Sequence, residues 1–207
     1  MELSLGTALQ KKFPQKKWVI IKHARSGSNL FRQWNPGKTS QDKQGEEYVK
    51  LLRTVRNGME ALKKQGHALV LKAMVWQQGE GDARDIAGIK NALSYGANLN
   101  NLIKRIRADL EAPGLAFIYG SVLPVPAPAR FPGREKVRQG QKDVAEESRT
   151  SFSVNNALYV PADDLQLRSM DFRTPYPTDT VHLGTHGVLV LGERFASALE
   201  KLWRQKN

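Results

Sequence analysis

A histidine stands three residues after an aspartate in Asp179-Thr-Val-His182, just ahead of a glycine-spaced amphipathic segment. At that spacing a carboxylate can hold the imidazole through Nδ1–H while Nε2 faces a pocket, which fixes the tautomer. Such a pair stabilises the imidazolium formed when a hydroxyl gives up its proton, the base half of a Ser-His-Asp arrangement. An aspartate that only caps a helix would show the same spacing. About a hundred residues earlier, Trp76-Gln-Gln-Gly-Glu-Gly-Asp82-Ala83 follows an apolar run. The Gln78 amide there can donate to a developing oxyanion, a contact worth roughly 3–4 kcal/mol in a known protease. Gly79 and Gly81 let backbone approach a ligand closely. As plain architecture the block is a turn, with Asp82 capping a helix and Glu80 as surface charge. A third cluster, Arg25-Ser-Gly-Ser-Asn-Leu30, also follows an apolar run. Gly27 in it can present its N–H to the same oxyanion, with Ser28 and Asn29 beside it, or the segment is an ordinary turn.

These clusters need a scaffold, and the hydropathy pattern supplies one. Short β-rich runs alternate with longer segments of helical period, the signature of βα units around a mostly parallel sheet. Strands are expected at Trp18 to Ala24, Ala68 to Trp76, Leu115 to Val122 and Leu158 to Pro161, apolar on both faces as helix-covered strands are. Helices are expected over 45–64, 87–111, 134–147 and 185–203; the last carries Val188, Leu191, Phe195, Leu199 and Leu202 at spacings of three and four. Proline-rich stretches at 124–133 and 166–178 are expected as surface loops. In such sheets, loops at the carboxyl ends of strands build the ligand crevice. No internal repeat or domain boundary is visible, so residues 1–207 read as one domain.

Composition narrows the chemistry. The 207 residues contain no cysteine, which excludes disulfides and thiolate-bound zinc. The four histidines are too scattered for a metal cluster, and no metal or cofactor is expected. The net charge of +12 is spread along the chain. Its densest group, Lys11, Lys12, Lys16 and Lys17, reads as a solvated helix end, so nucleic acid is not the expected partner, although a polyanion remains an alternative. No run is long enough to span a membrane, and the start has no signal-peptide pattern.

Taken in order, Gly-Ser-Asn-Leu-x-x-x-Trp at 27–34, Trp-x-Gln-Gly-Glu-x-Asp-Ala at 76–83, Val-Arg-x-x-Gln at 137–141, Asp-x-x-His-Leu at 179–183 and Leu-Gly-Glu-Arg-Phe-Ala at 191–196 resemble the sialate O-acetylesterase domain family. That family belongs to the SGNH hydrolases and is related to acetylxylan esterases. The resemblance runs from Glu2 to Leu202. It implies a three-layer αβα fold with a flavodoxin-like sheet, a serine-type O-acetyl esterase and an acetylated carbohydrate substrate. It makes His182 the general base and Asp179 its orienting acid. Gly27 and Gln78 become oxyanion or substrate-positioning donors, Ser28 and Asn29 their neighbours, and Gly79, Glu80 and Asp82 a supporting loop. Asp163-Asp164-Leu165 also fits the family pattern, in a structural role. Members are often secreted or periplasmic.

The chain departs from the family in one respect. The family's nucleophilic serine lies in a Gly-Gln-Ser-Asn-Met block on a strand preceding the counterpart of Glu2 to Gly6, and neither is found here. In a 2-1-3-4-5 strand order that strand is central. The expectations are therefore a domain lacking its first central strand through shortening at the N-terminus, a pruned carbohydrate-binding pseudoenzyme on the same fold, or replacement of the nucleophile by Ser28.

Overall fold

A computed structural model describes residues 1–84, 86, 88–123 and 128–204. Three parallel strands, β1 (Ala73–Trp76), β2 (Ala116–Gly120) and β3 (Ala157–Val160), form a sheet in chain order. The register pairs Ala73 with Ala116 and Phe117 with Ala157. Parallel strands demand crossovers, and helices supply them. Helix α4 (Ile89–Leu93) and helix α5 (Tyr95–Asp109) lie between β1 and β2; α6 (Arg134–Val144) lies between β2 and β3. Two further helices, α1 (Glu2–Lys12) and α2 (Glu46–Lys64), precede the sheet, and α7 (Thr185–Arg204) closes the described chain.

Side-chain alternation along β2 divides the core. Phe117 and Tyr119 point to one cluster with Leu51, Val55, Leu99, Leu102, Ile103 and Ile106, while Ala116 and Ile118 point to a second with Leu5, Leu9, Leu191, Phe195 and Leu199. Helices α2, α5 and α6 therefore cover one face and α1 and α7 the other, giving the expected three layers. Full burial of each large side chain contributes roughly 1.5–3 kcal/mol. Gly192 sits against Met1 O and Ser4, so α7 and α1 approach closely. The Asp163-Asp164 pair ties the layers together. Asp163 accepts from the Arg138 guanidinium on α6, and Asp164 accepts from Arg194 on α7 at 2.6 and 2.7 Å.

Four expectations change in detail. The 87–111 segment divides at Ser94, whose hydroxyl bonds back to Lys90 O and Asn91 O and so competes with the helical ladder; Ala87 lies outside the described residues. The 134–147 helix stops at Val144 and is followed by a 3₁₀ turn, Glu146–Ser148. Of the 124–133 loop, residues 124–127 lie outside the described residues, and Phe131 N closes a turn on Pro128 O. The largest change concerns Trp18 to Ala24, which joins no ladder. At its start Trp18 stacks on Trp203, over whose ring the Lys72 ammonium also lies, and after it Gln78 Nε2 donates to Ser28 O. Val19 and Ile20 stay exposed. Strand β1 is consequently a sheet edge, with Ala73, Met74 and Val75 only half-buried where all of β2 is buried. No helix among the described residues is long and apolar enough to cross a membrane.

Candidate active site

Residues 179–182 form a turn closed by its own aspartate. Asp179 Oδ1 accepts from the amides of Val181 and His182 at 3.1 and 3.0 Å, the local bonding that suits Asp to turns. The carboxylate also faces the imidazole, with Oδ2 2.9 Å from His182 Nδ1. Burial alone would push the Asp179 carboxyl up, but the His182 and Val181 amides and the His182 ring outweigh it and hold it below its ordinary value. Asp179 is buried, whereas the His182 side chain is 64% exposed and its Nε2 has no partner among the described residues. A neutral ring held this way carries its proton on Nδ1 and leaves Nε2 as an acceptor. Below the turn, Asp171 Oδ2 accepts from Thr185 N at 2.6 Å at the first residue of α7. The hydroxyl and amide of Thr185 hold that carboxyl far below the usual carboxylate range.

The second cluster leaves the carboxyl end of β1 and enters a short helix, α3 (Glu80–Ala83). Asp82 is fully buried and accepts three hydrogen bonds: Leu30 N at 2.8 Å, Phe31 N at 3.0 Å and Gln78 Nε2 at 2.7 Å. Burial nevertheless pushes its carboxyl up to about 6. Asp82 is thus the bolt joining the 25–34 loop to the sheet, rather than a helix cap. Gly81 makes the junction possible, since a Cβ there would lie 2.2 Å from Ser28 O. Burial also raises the Glu80 carboxyl, opposed by its own amide and then by the charge of His182. The His182 charge is therefore felt at Glu80, although no hydrogen bond or ion pair joins the two among the described residues.

The donors expected from sequence fare unequally. Gln78 gives its amide to Asp82 and to Ser28 O at 3.2 Å, and Tyr95 OH fixes its main-chain carbonyl at 2.7 Å. Its side-chain amide is thus taken up in joining the loops. Ser28 likewise donates to Arg25 O at 2.8 Å and accepts from Trp34 Nε1 at 2.7 Å, within a buried site. Its hydroxyl therefore has structural partners on both sides. Gly27, exposed at φ 67°, keeps the left-handed conformation that favours glycine, and its N–H meets no acceptor among the described residues. Asn29 accepts from Arg32 N through Oδ1, and its Nδ2 has no partner among the described residues. Gly27 N and Asn29 Nδ2 are thus free donors on this loop. The Glu80–His182 relation and the bolt at Asp82 were beyond sequence reading. Glu80 was legible only as one acid in a Gly-Glu-Gly run, with nothing to say which side chain it faces.

The model of a family described as carbohydrate esterase, sialic acid-specific acetylesterase, matches residues 1–201. A probable carbohydrate esterase of Arabidopsis thaliana is 28% identical over 173 residues, which span 84% of this chain and 52% of that protein. The chain therefore spans about half the length of the curated relative it matches. The solved structure of the same Arabidopsis protein superposes with a TM-score of 0.58 at 27% identity, covering 84% of this chain and 57% of that one.

Proposed function

The chain belongs to the sialic acid-specific acetylesterase family of carbohydrate esterases, and on that premise we propose that it carries the acid and base of a serine-type O-acetyl esterase acting on acetylated carbohydrates. The observation that carries the reading is the buried Asp179 carboxylate on Nδ1 of an exposed imidazole whose Nε2 is free. In the reaction a serine hydroxyl attacks the acetyl carbonyl and passes its proton to His182 Nε2. Asp179 holds the resulting imidazolium. Gly27 N–H and Asn29 Nδ2 are the donors for the oxyanion. Collapse of the tetrahedral adduct expels the sugar oxygen, which takes the proton from His182. Water then repeats the sequence on the acyl-serine and releases acetate.

The serine itself is the part that no described residue brings to Nε2. The family resemblance assigns it to a strand, and the unpaired edge of β1 is compatible with a strand seated there. Acetate release from acetylated oligosaccharides is the test, with an apolar strand ending in Gly-Gln-Ser-Asn supplied as a synthetic peptide or joined ahead of Met1. Turnover is expected with the serine peptide and none with its alanine counterpart. If neither form hydrolyses acetylated sugars or p-nitrophenyl acetate, the esterase reading is wrong. A second reading, carbohydrate binding without turnover, is favoured by the fact that no described hydroxyl bonds Nε2. Serine-dependent turnover would remove it.

A further inference from the structure

The dyad turn is strapped from outside by the segment before it. Leu167 and Leu183 form an isolated antiparallel bridge. Around it, Arg168 N donates to His182 O at 2.8 Å, Ser169 N to Asp179 O at 2.9 Å, and Gly184 N to Gln166 O at 2.8 Å. Two consecutive amides of a 3₁₀ turn, Arg168–Met170, therefore clamp the main-chain carbonyls of both dyad residues. From the same turn the Arg168 side chain reaches back to the carboxylate, with a guanidinium nitrogen 3.8 Å from Asp179 Oδ2. The Tyr176 ring supports it from beneath, 5.1 Å from ring centroid to guanidinium carbon.

At 3.8 Å the contact is Coulombic rather than a shared proton, and the donors on Asp179 already come from its own turn. The charges around His182 are Asp179 in its own turn and Arg168 behind Asp179 on the strap, with Glu80 on α3 within reach of the imidazole charge; His186 lies exposed in the first turn of α7. A carboxylate at Nδ1 favours the imidazolium, the form that cannot accept a proton. A fixed guanidinium offsets that bias and, being planar and always charged, does so at every working pH.

We propose that Arg168 is a positioning residue of the Asp179–His182 dyad, its backbone holding both residues in register and its cation balancing the carboxylate so that the imidazole remains a competent base. The proposal rests on reading this pair as acid and base, but its test needs no turnover.

The test is an NMR titration of His182 in the 207-residue chain, in Arg168→Met and in Arg168→Lys, with His186 as internal control. Arg168→Met is expected to raise the His182 midpoint by about half a pH unit, about threefold in proton affinity, while His186 stays in place. Arg168→Lys keeps the charge and is expected to restore most of the shift. A midpoint in Arg168→Met equal to wild type would overturn the proposal, because a purely structural strap leaves the titration unmoved. Should Arg168→Met fail to fold, Tyr176→Ala removes the platform but keeps the cation. A smaller rise is then expected, and no rise would overturn the proposal equally. If the midpoints move as stated while the serine-supplied protein releases no acetate, it is the esterase reading that falls.

Discussion

Replacing His182 with alanine is expected to lower acetyl-ester turnover by the serine-supplied protein by a factor of about 10⁴ or more, while substrate binding changes only a few-fold. Among the described residues the exposed ring bonds only Asp179, so its removal deletes the proton acceptor without opening the core. The companion change, Asp179→Asn, discriminates between a catalytic and a capping role. Asparagine Oδ1 can still accept from the Val181 and His182 amides, so the turn persists. Its Nδ2, however, would meet Nδ1 with a donor, forcing the proton onto Nε2 and leaving no acceptor for the serine. A loss approaching about 10⁴-fold with the turn intact is expected, the size such a tautomer error costs in a known serine protease. Acetate release at saturating substrate and the thermal midpoint check both changes. Turnover that survives His182→Ala would end the proposed mechanism.

The second large effect is on stability. Asp82→Ala leaves the Leu30 and Phe31 amides and the Gln78 amide without their acceptor at a buried junction. At about 1–3 kcal/mol for each orphaned group, and allowing for relaxation of the loop, the cost is about 3–5 kcal/mol. For a domain of this length that is a fall of roughly 10 °C in thermal midpoint. The cost also depends on pH, with a definite sign. Burial raises the folded-state carboxyl to about 6, so the folded chain holds this proton more tightly than the unfolded chain does. Its contribution is fully present below the unfolded value near 4 and is lost as pH rises towards 6, by at most about 3 kcal/mol. Denaturant titrations should therefore show a larger Asp82→Ala penalty at pH 4 than at pH 8. A penalty that is flat or grows with pH would contradict the burial argument.

What the sequence disclosed, and what it hid, follows from the range of the interactions. Asp179 and His182 were legible because their bonding is local, three residues apart and inside one turn. The layers were legible because β2 and the helices carry their periodicity in the chain itself. The Trp18 to Ala24 run has the composition of a buried strand, yet a ladder is a property of two segments, and no described segment pairs with it. Gln78 and Ser28 carry residue types that suit catalysis, and their partners Asp82, Arg25 and Trp34 are close in sequence, but irregular loop backbone leaves no pattern from which to read which side chain each one meets. Arg168 escaped notice because it meets Asp179 from another element, the turn before the dyad.

The open edge of β1 bears on how the purified chain behaves in solution. A row of unpaired N–H and C=O groups is a template on which another copy of the chain can add a strand. Opposing this is the net charge of +12, which keeps copies apart while its field extends through the solvent. That field reaches about 30 Å at 0.01 M ionic strength but only about 8 Å at 0.15 M. The chain is therefore expected to stay dispersed in dilute buffer and to self-associate as salt is added, the reverse of ordinary salting-in. Light scattering against salt concentration would follow this, and a strand peptide occupying the edge should suppress it.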